Sequence, residues 1–209
     1  MLKIGLTGNI GSGKTVVSDV FSTLDIPVYH SDEESKKFLT DPSVKNEIVK
    51  HFGYGILTNG HEINRRSLAS IVFSDNRALN LLNSILHPRV KSDFRTWASL
   101  HSEKPYVIQE AAIIFESGFR PEFDYIIQVT CPKETAIERI VKRDKIDRHS
   151  MLLRMQFQMD EEEKTHLSDF VIRNDGSEMI IPQVLSIHKQ LLEIGPKRND
   201  DVSPGAADA

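Results

Sequence analysis

The stretch IGLTGNIGSGKTVVSDVFSTL, residues 4–24, constrains this chain more than any other. Its apolar start, Ile4 to Leu6, stops at Thr7. Gly8, Gly11 and Gly13 then fall within six residues, followed by Lys14 and Thr15. Behind them Val16, Val17, Val20, Phe21 and Leu24 recur at helical spacing. Strand, glycine-rich turn and helix, in that order, form the setting in which G-x-x-x-x-G-K-[ST] binds phosphate. Glycine allows positive φ and close approach, so that successive N–H groups point inward as an anion nest. The helix N-terminus adds its positive end. Lys14 is then placed for the β- and γ-phosphates of a nucleoside triphosphate, and the Thr15 hydroxyl for Mg2+.

Further strands are expected at 26–31, 106–110, 124–130 and 169–173, short and rich in Val, Ile, Tyr or Phe. Helices are expected between them. In 133–144, Ala136, Ile137, Ile140 and Val141 form one stripe. In 177–193, Ile180, Ile181, Val184, Leu185, His188, Leu191 and Leu192 form another. This alternation implies an α/β fold, a parallel sheet wrapped on both sides with ligands at the carboxyl ends of its strands. Residues 33–104 break the pattern with several helical segments and no convincing strand. They read as a helical insertion placed to hold a second substrate. Within it the His87-Pro88 step reads as a helix start, with proline in the first turn. The expectation is one domain over 1–195, with its core at 1–32, 105–137 and 166–194 and a lid over about 138–165. The polar end, 196–209, is expected to be disordered.

Composition narrows the partners. The net charge of −4 leaves no general basic surface for nucleic acid, and one tryptophan, Trp97, is a poor supply of stacking platforms. The single cysteine, Cys131, excludes an internal disulfide and a cysteine zinc site, which suits a reducing cytosol. No apolar run approaches the length of a membrane span, and the chain begins in strand and loop rather than in a signal peptide. A soluble, cytoplasmic protein is expected. No H-E-x-x-H occurs, so Mg2+ bound with ATP is the only metal implied.

A phosphate loop is common to switches, motors and kinases. N-K-x-D, by which GTPases read guanine, does not occur, and neither does LSGGQ. Asp32, just past the second strand, stands where a general base for an acceptor hydroxyl belongs. It could equally cap a helix beginning at Glu33, and the two roles do not exclude each other. Arg139 and Arg143, four apart on the helix after the fourth strand, could neutralise a transferring phosphoryl group from a mobile lid. The acids interleaved in KRDKIDRHSMLLR also fit a solvated, salt-bridged face. His30 reads as a packing or hydrogen-bonding residue.

Together these features resemble the dephospho-CoA kinase family. The landmarks run in order: IGLTGNIGSGKTVVS, IPVYHSDEESKK, INRRSLASIVF, LHPRV, EAAIIFESGF, ERIVKRD, QMDEEEK and DFVIRNDGS. The resemblance implies a three-layer P-loop fold with a five-stranded parallel sheet of order 2-3-1-4-5. It also implies ATP-dependent phosphorylation of the ribose 3′-hydroxyl of dephospho-CoA, the last step of coenzyme A synthesis. By position, Gly8 and Gly11, Ser12, Gly13, Lys14, Thr15 and Val16 are the ATP site, and Thr15 the metal ligand. Asp32 is the base and Arg65 and His87 lie on the coenzyme-A side. Arg139 and Arg143 match the lid, and Asn174 lies in the loop that contacts adenine. Asn9, His30, Lys36 and Glu110 with Ala111–Ala112 depart from the commoner family residues, and Glu110 is a candidate acidic partner for Mg2+. A monomer or weak homo-oligomer is expected. The alternatives are another small-molecule kinase, such as a nucleoside monophosphate kinase, or a nucleotide-dependent switch.

Overall fold

The computed structural model describes residues 1–195; the tail expected to be disordered from 196 lies outside the described residues. Five strands, β1 (Leu2–Thr7), β2 (Val28–His30), β3 (Tyr106–Glu110), β4 (Tyr125–Thr130) and β5 (Phe170–Arg173), pair in parallel in the order β2-β3-β1-β4-β5. Between the strands run α1 (Lys14–Thr23), α2 (Ser31–Phe38), α3 (Pro42–Phe52), α4 (Arg65–Val72), α5 (Asn76–Ser99), α6 (Lys133–Asp144), α7 (Arg148–Met155) and α8 (Glu161–Leu167). The helix α9 (Ile180–Ile194) follows the last strand. The strand expected at 26–31 shortens to three residues because β2 is an edge strand, with a ladder on one side only.

On one face of the sheet Ile4, Leu6, Tyr106, Ile108, Ile127 and Val129 pack against Val17 and Phe21 of α1 and Val184, Ile187 and Leu191 of α9. On the other, Val107 and Ile126 meet Val90, Phe94 and Ala98 of α5. The insertion carries its own core, including Val44, Ile48, Leu68, Val72, Leu82 and Ile85. Helix α5 belongs to both clusters, through Leu82, Ile85 and Leu86 on one side and Val90, Phe94 and Ala98 on the other.

Two expectations fail, each for a physical reason. The broad stripe on the last helix is only half covered: Ile181, Leu185 and Leu192 are 57%, 45% and 44% exposed. The helix packs on α1 and on the edge strand β5, and among the described residues no strand lies beyond that edge to cover its outer flank. Pro88 does not start a helix; it lies inside the 24-residue α5. An interior proline costs about 3 kcal/mol. The same helix buries Ile85, Leu86, Val90, Phe94 and Ala98 around the proline, and each large apolar side chain stabilises by about 1.5–3 kcal/mol. Packing wins. Arg89 supports this turn, its Nη1 donating to the Ile85 carbonyl at 2.5 Å and its Nη2 to Glu47 at 2.9 Å.

Candidate active site

The loop between β1 and α1 has the backbone that its glycines foretell. Gly11 and Gly13 stand at φ 84° and 95°, and a Cβ on Gly13 would collide with Asn174 Nδ2. That amide donates to the Ser12 carbonyl at 2.7 Å, and the Asn174 backbone N–H donates to the Thr130 carbonyl at 2.9 Å. Asn174 thus ties the loop after β5 to the phosphate loop. Removing one such bond costs about 0.5–1.5 kcal/mol. Asn174→Ala is therefore expected to raise KM for ATP roughly two- to tenfold. An ATP titration that is unchanged would contradict this.

Lys14 opens α1 and is 8% exposed, its Nζ donating to the Gly8 carbonyl at 2.9 Å. Burial holds its ammonium below the ordinary lysine value, while the charges of Glu110 and Asp32 pull it back. Those two acids sit at the carboxyl ends of β3 and β2. Glu110 is 7% exposed, and its Oε2 meets His30 Nδ1 at 3.0 Å. Gln109 Nε2 donates to Ser31 Oγ at 2.7 Å, fixing the first turn of α2.

Asp32 does not cap that helix. The N-cap of α2 is His30 and makes no side-chain capping bond, whereas Asp41, Asn64, Asp75, Asp147 and Asp160 each accept backbone N–H groups at their own helices. The Asp32 carboxylate faces a cavity of about 1140 Å3 that it shares with Lys14 and Thr15. Arg65 and His87 line the insertion side of the same space, and Arg143 lines the side towards α7. The spacing that puts Arg139 and Arg143 on one helix face does not put both in this cavity. Arg139 reaches Cys131 Sγ at 3.3 Å and the Asn174 carbonyl at 3.4 Å, beside the phosphate loop. Arg143 forks onto Asp144 at 2.7 Å and 3.3 Å. Val16 is 52% exposed, while Val17 and Phe21 of the same helix are buried.

His87 packs edge-on to Phe119, ring centroids 5.2 Å apart, and burial pushes its imidazole below the ordinary pKa. The folded state then binds that proton more weakly than the unfolded chain. The resulting stability is complete above about pH 6.5 and is lost as pH falls through the folded value. His188 shifts the same way, also through burial. His87→Asn is expected to reduce the fall in Tm between about pH 7 and pH 5; an unchanged slope would exclude this contribution.

Sequence reasoning missed several residues that line this space or stand behind its wall. Arg154 lines the cavity with its guanidinium 5.5 Å from the Phe73 ring, and Phe73 and Phe157 lie 6.2 Å apart, joining α4 to the segment after α7. The only signal for Arg154 is its place in an alternating charge run. Glu116 and Lys164 pair at 2.8 Å, and both fall in quoted motifs, EAAIIFESGF and QMDEEEK. Among the described residues no group of three or more His, Cys, Asp or Glu gathers to cage a metal. The Thr15 hydroxyl and the Asp32 and Glu110 carboxylates are oxygen donors around one cavity. They suit a hard cation that takes most of its ligands from phosphate and water.

Sheet order and phosphate loop together place the chain among the P-loop kinases. The dephospho-CoA kinase family model matches residues 2–179. The chain belongs to the dephospho-CoA kinase family. A dephospho-CoA kinase of Bacteroides fragilis (strain YCH46) is 43% identical over 188 residues, 89% of this chain and 91% of that protein. The crystal structure of TT1252 from Thermus thermophilus is 31% identical with a TM-score of 0.78, over 90% of this chain and 96% of that one. The dephospho-CoA kinase from Campylobacter jejuni shares the fold at 24% identity and a TM-score of 0.66, over 91% and 97% of the two chains.

Proposed function

We infer that this chain transfers the γ-phosphoryl group of ATP to the ribose 3′-hydroxyl of dephospho-CoA, giving coenzyme A and ADP, the last step of coenzyme A synthesis. The observation that carries the reading is the juxtaposition of a phosphate loop and an uncapping acid, Lys14 and Asp32, on one cavity continuous with the helical insertion. Family membership supplies the acceptor.

In this mechanism the N–H groups of residues 8–15 and the α1 terminus hold the ATP phosphates, and Lys14 steadies the β- and γ-oxygens. Asn174 and Arg139 brace the loop on its adenine side. The insertion, 33–104, presents the acceptor, with Arg65 and His87 on its wall. Asp32 accepts the 3′-hydroxyl proton as the oxygen attacks phosphorus, and Arg143 faces the charge that spreads over the transferring group. The lid, 138–165, excludes water that would compete as acceptor. Mg2+, held at Thr15 and by the phosphates, would neutralise developing charge when bound. Among the described residues no helix is long and apolar enough to cross a membrane. We place the reaction in the cytoplasm, where the thiol of Cys131 suits the reducing setting.

The test is ADP release from Mg·ATP with dephospho-CoA, beside AMP, CMP and adenosine as competing acceptors. Turnover with dephospho-CoA alone is the expected result. Turnover with a monophosphate would keep the fold and discard the acceptor.

A further inference from the structure

Helix α8 and the connection from α7 to α8 meet the loop after β3 at one carboxylate oxygen, that of Glu116. Lys164 of α8 is completely buried, its Nζ 2.8 Å from Glu116 Oε1 and donating to the Ala112 carbonyl at 2.9 Å. The same Glu116 oxygen accepts the Met159 backbone N–H at 2.8 Å. Ala112 and Glu116 belong to the loop after β3 and line the acceptor cavity. Met159 lies between α7 and α8, at the base of the lid. Its carbonyl accepts from Asn9 Nδ2 at 3.5 Å, and the neighbouring Gln158 Oε1 accepts the Ile10 N–H at 2.9 Å. Thr7 closes the circuit, its hydroxyl donating to the Ala112 carbonyl at 3.4 Å. Acceptor wall, lid base and phosphate loop therefore share one hydrogen-bonded hub.

Stability alone does not account for such a hub. Burial lowers the Lys164 pKa against the pull of Glu116, and desolvating both charges offsets much of their attraction. What the pair supplies is direction. An ammonium and an N–H on one oxygen, with that ammonium also on the Ala112 carbonyl, fix where the wall stands relative to the loop.

We propose that Lys164 and Glu116 are positioning residues, which hold the acceptor wall at the separation from the phosphate loop that phosphoryl transfer requires. This rests on the kinase reading above. Reacting atoms must come to about 3–3.5 Å, and a misplacement of about 1 Å costs on the order of 10²-fold. The pair touches neither reacting group and acts through the wall.

The experiment compares wild type, Lys164→Met and the double variant Lys164→Met/Glu116→Leu as full-length proteins, measuring Tm, kcat and both KM values. Lys164→Met strands the Glu116 charge and is expected to lower Tm and kcat together. The double variant removes both charges and decides between the two roles. Its Tm is expected to return close to wild type, while kcat stays about 10- to 100-fold down and KM for ATP changes less than about twofold. A double variant that regains both Tm and kcat would make the pair a fold staple and overturn the proposal. Wild type that fails to turn over dephospho-CoA would overturn the kinase reading on which it rests.

Discussion

Replacing Asp32 by asparagine is expected to lower kcat for dephospho-CoA by about 10²–10⁴-fold, with KM for ATP close to the wild-type value. Asparagine keeps the size and hydrogen-bonding reach of the side chain but cannot take the acceptor proton. The structure sharpens this prediction, because Asp32 makes no capping bond to the α2 backbone and stands exposed on the cavity wall. Its loss should therefore leave Tm within a few degrees of wild type, on the scale of an exposed substitution. An activity loss accompanied by a large fall in Tm would point to the fold instead. A variant with undiminished kcat would remove Asp32 from the chemistry.

Lys14→Met should separate activity from stability in the opposite sense. The ammonium is buried, and burial holds its pKa down, so the folded state bears a desolvation cost throughout the neutral range. Glu110 and Asp32 offset part of that cost. Methionine fills a similar volume without the charge. Losing a cation that faces developing charge is expected to lower kcat/KM by about 10²–10³-fold. Tm is expected to hold or rise, because relief of the buried charge outweighs the loss of one donor to the Gly8 carbonyl. Wild-type activity in Lys14→Met would contradict the assignment of the phosphate loop.

The phosphate loop was legible because all its parts are contiguous: the apolar run, three glycines, Lys14 and Thr15 lie within one turn and its flanks. The strand order follows the family resemblance, and periodicity located each strand to within two residues. At Pro88 local propensity opposes a helix, while the packing that outweighs it comes from elements far along the chain. The stripe on α9 was too broad because periodicity shows which residues share a face and not where a sheet ends. His30 and Glu110, 80 residues apart, meet only once β2 and β3 pair, and no local signal joins them. Arg139 and Arg143 show the same limit: helical spacing puts them on one face, and the neighbouring loops decide that one meets Cys131 and Asn174 while the other meets the cavity.

The most direct test follows the phosphorus itself. Wild-type protein is incubated with Mg·ATP and dephospho-CoA, and the products are resolved by 31P NMR. The γ-phosphorus is predicted to appear as a monoester on the ribose 3′-oxygen of coenzyme A, with one ADP formed for each transfer. Its appearance as free inorganic phosphate, or as an anhydride on a nucleoside monophosphate supplied in competition, would contradict the account.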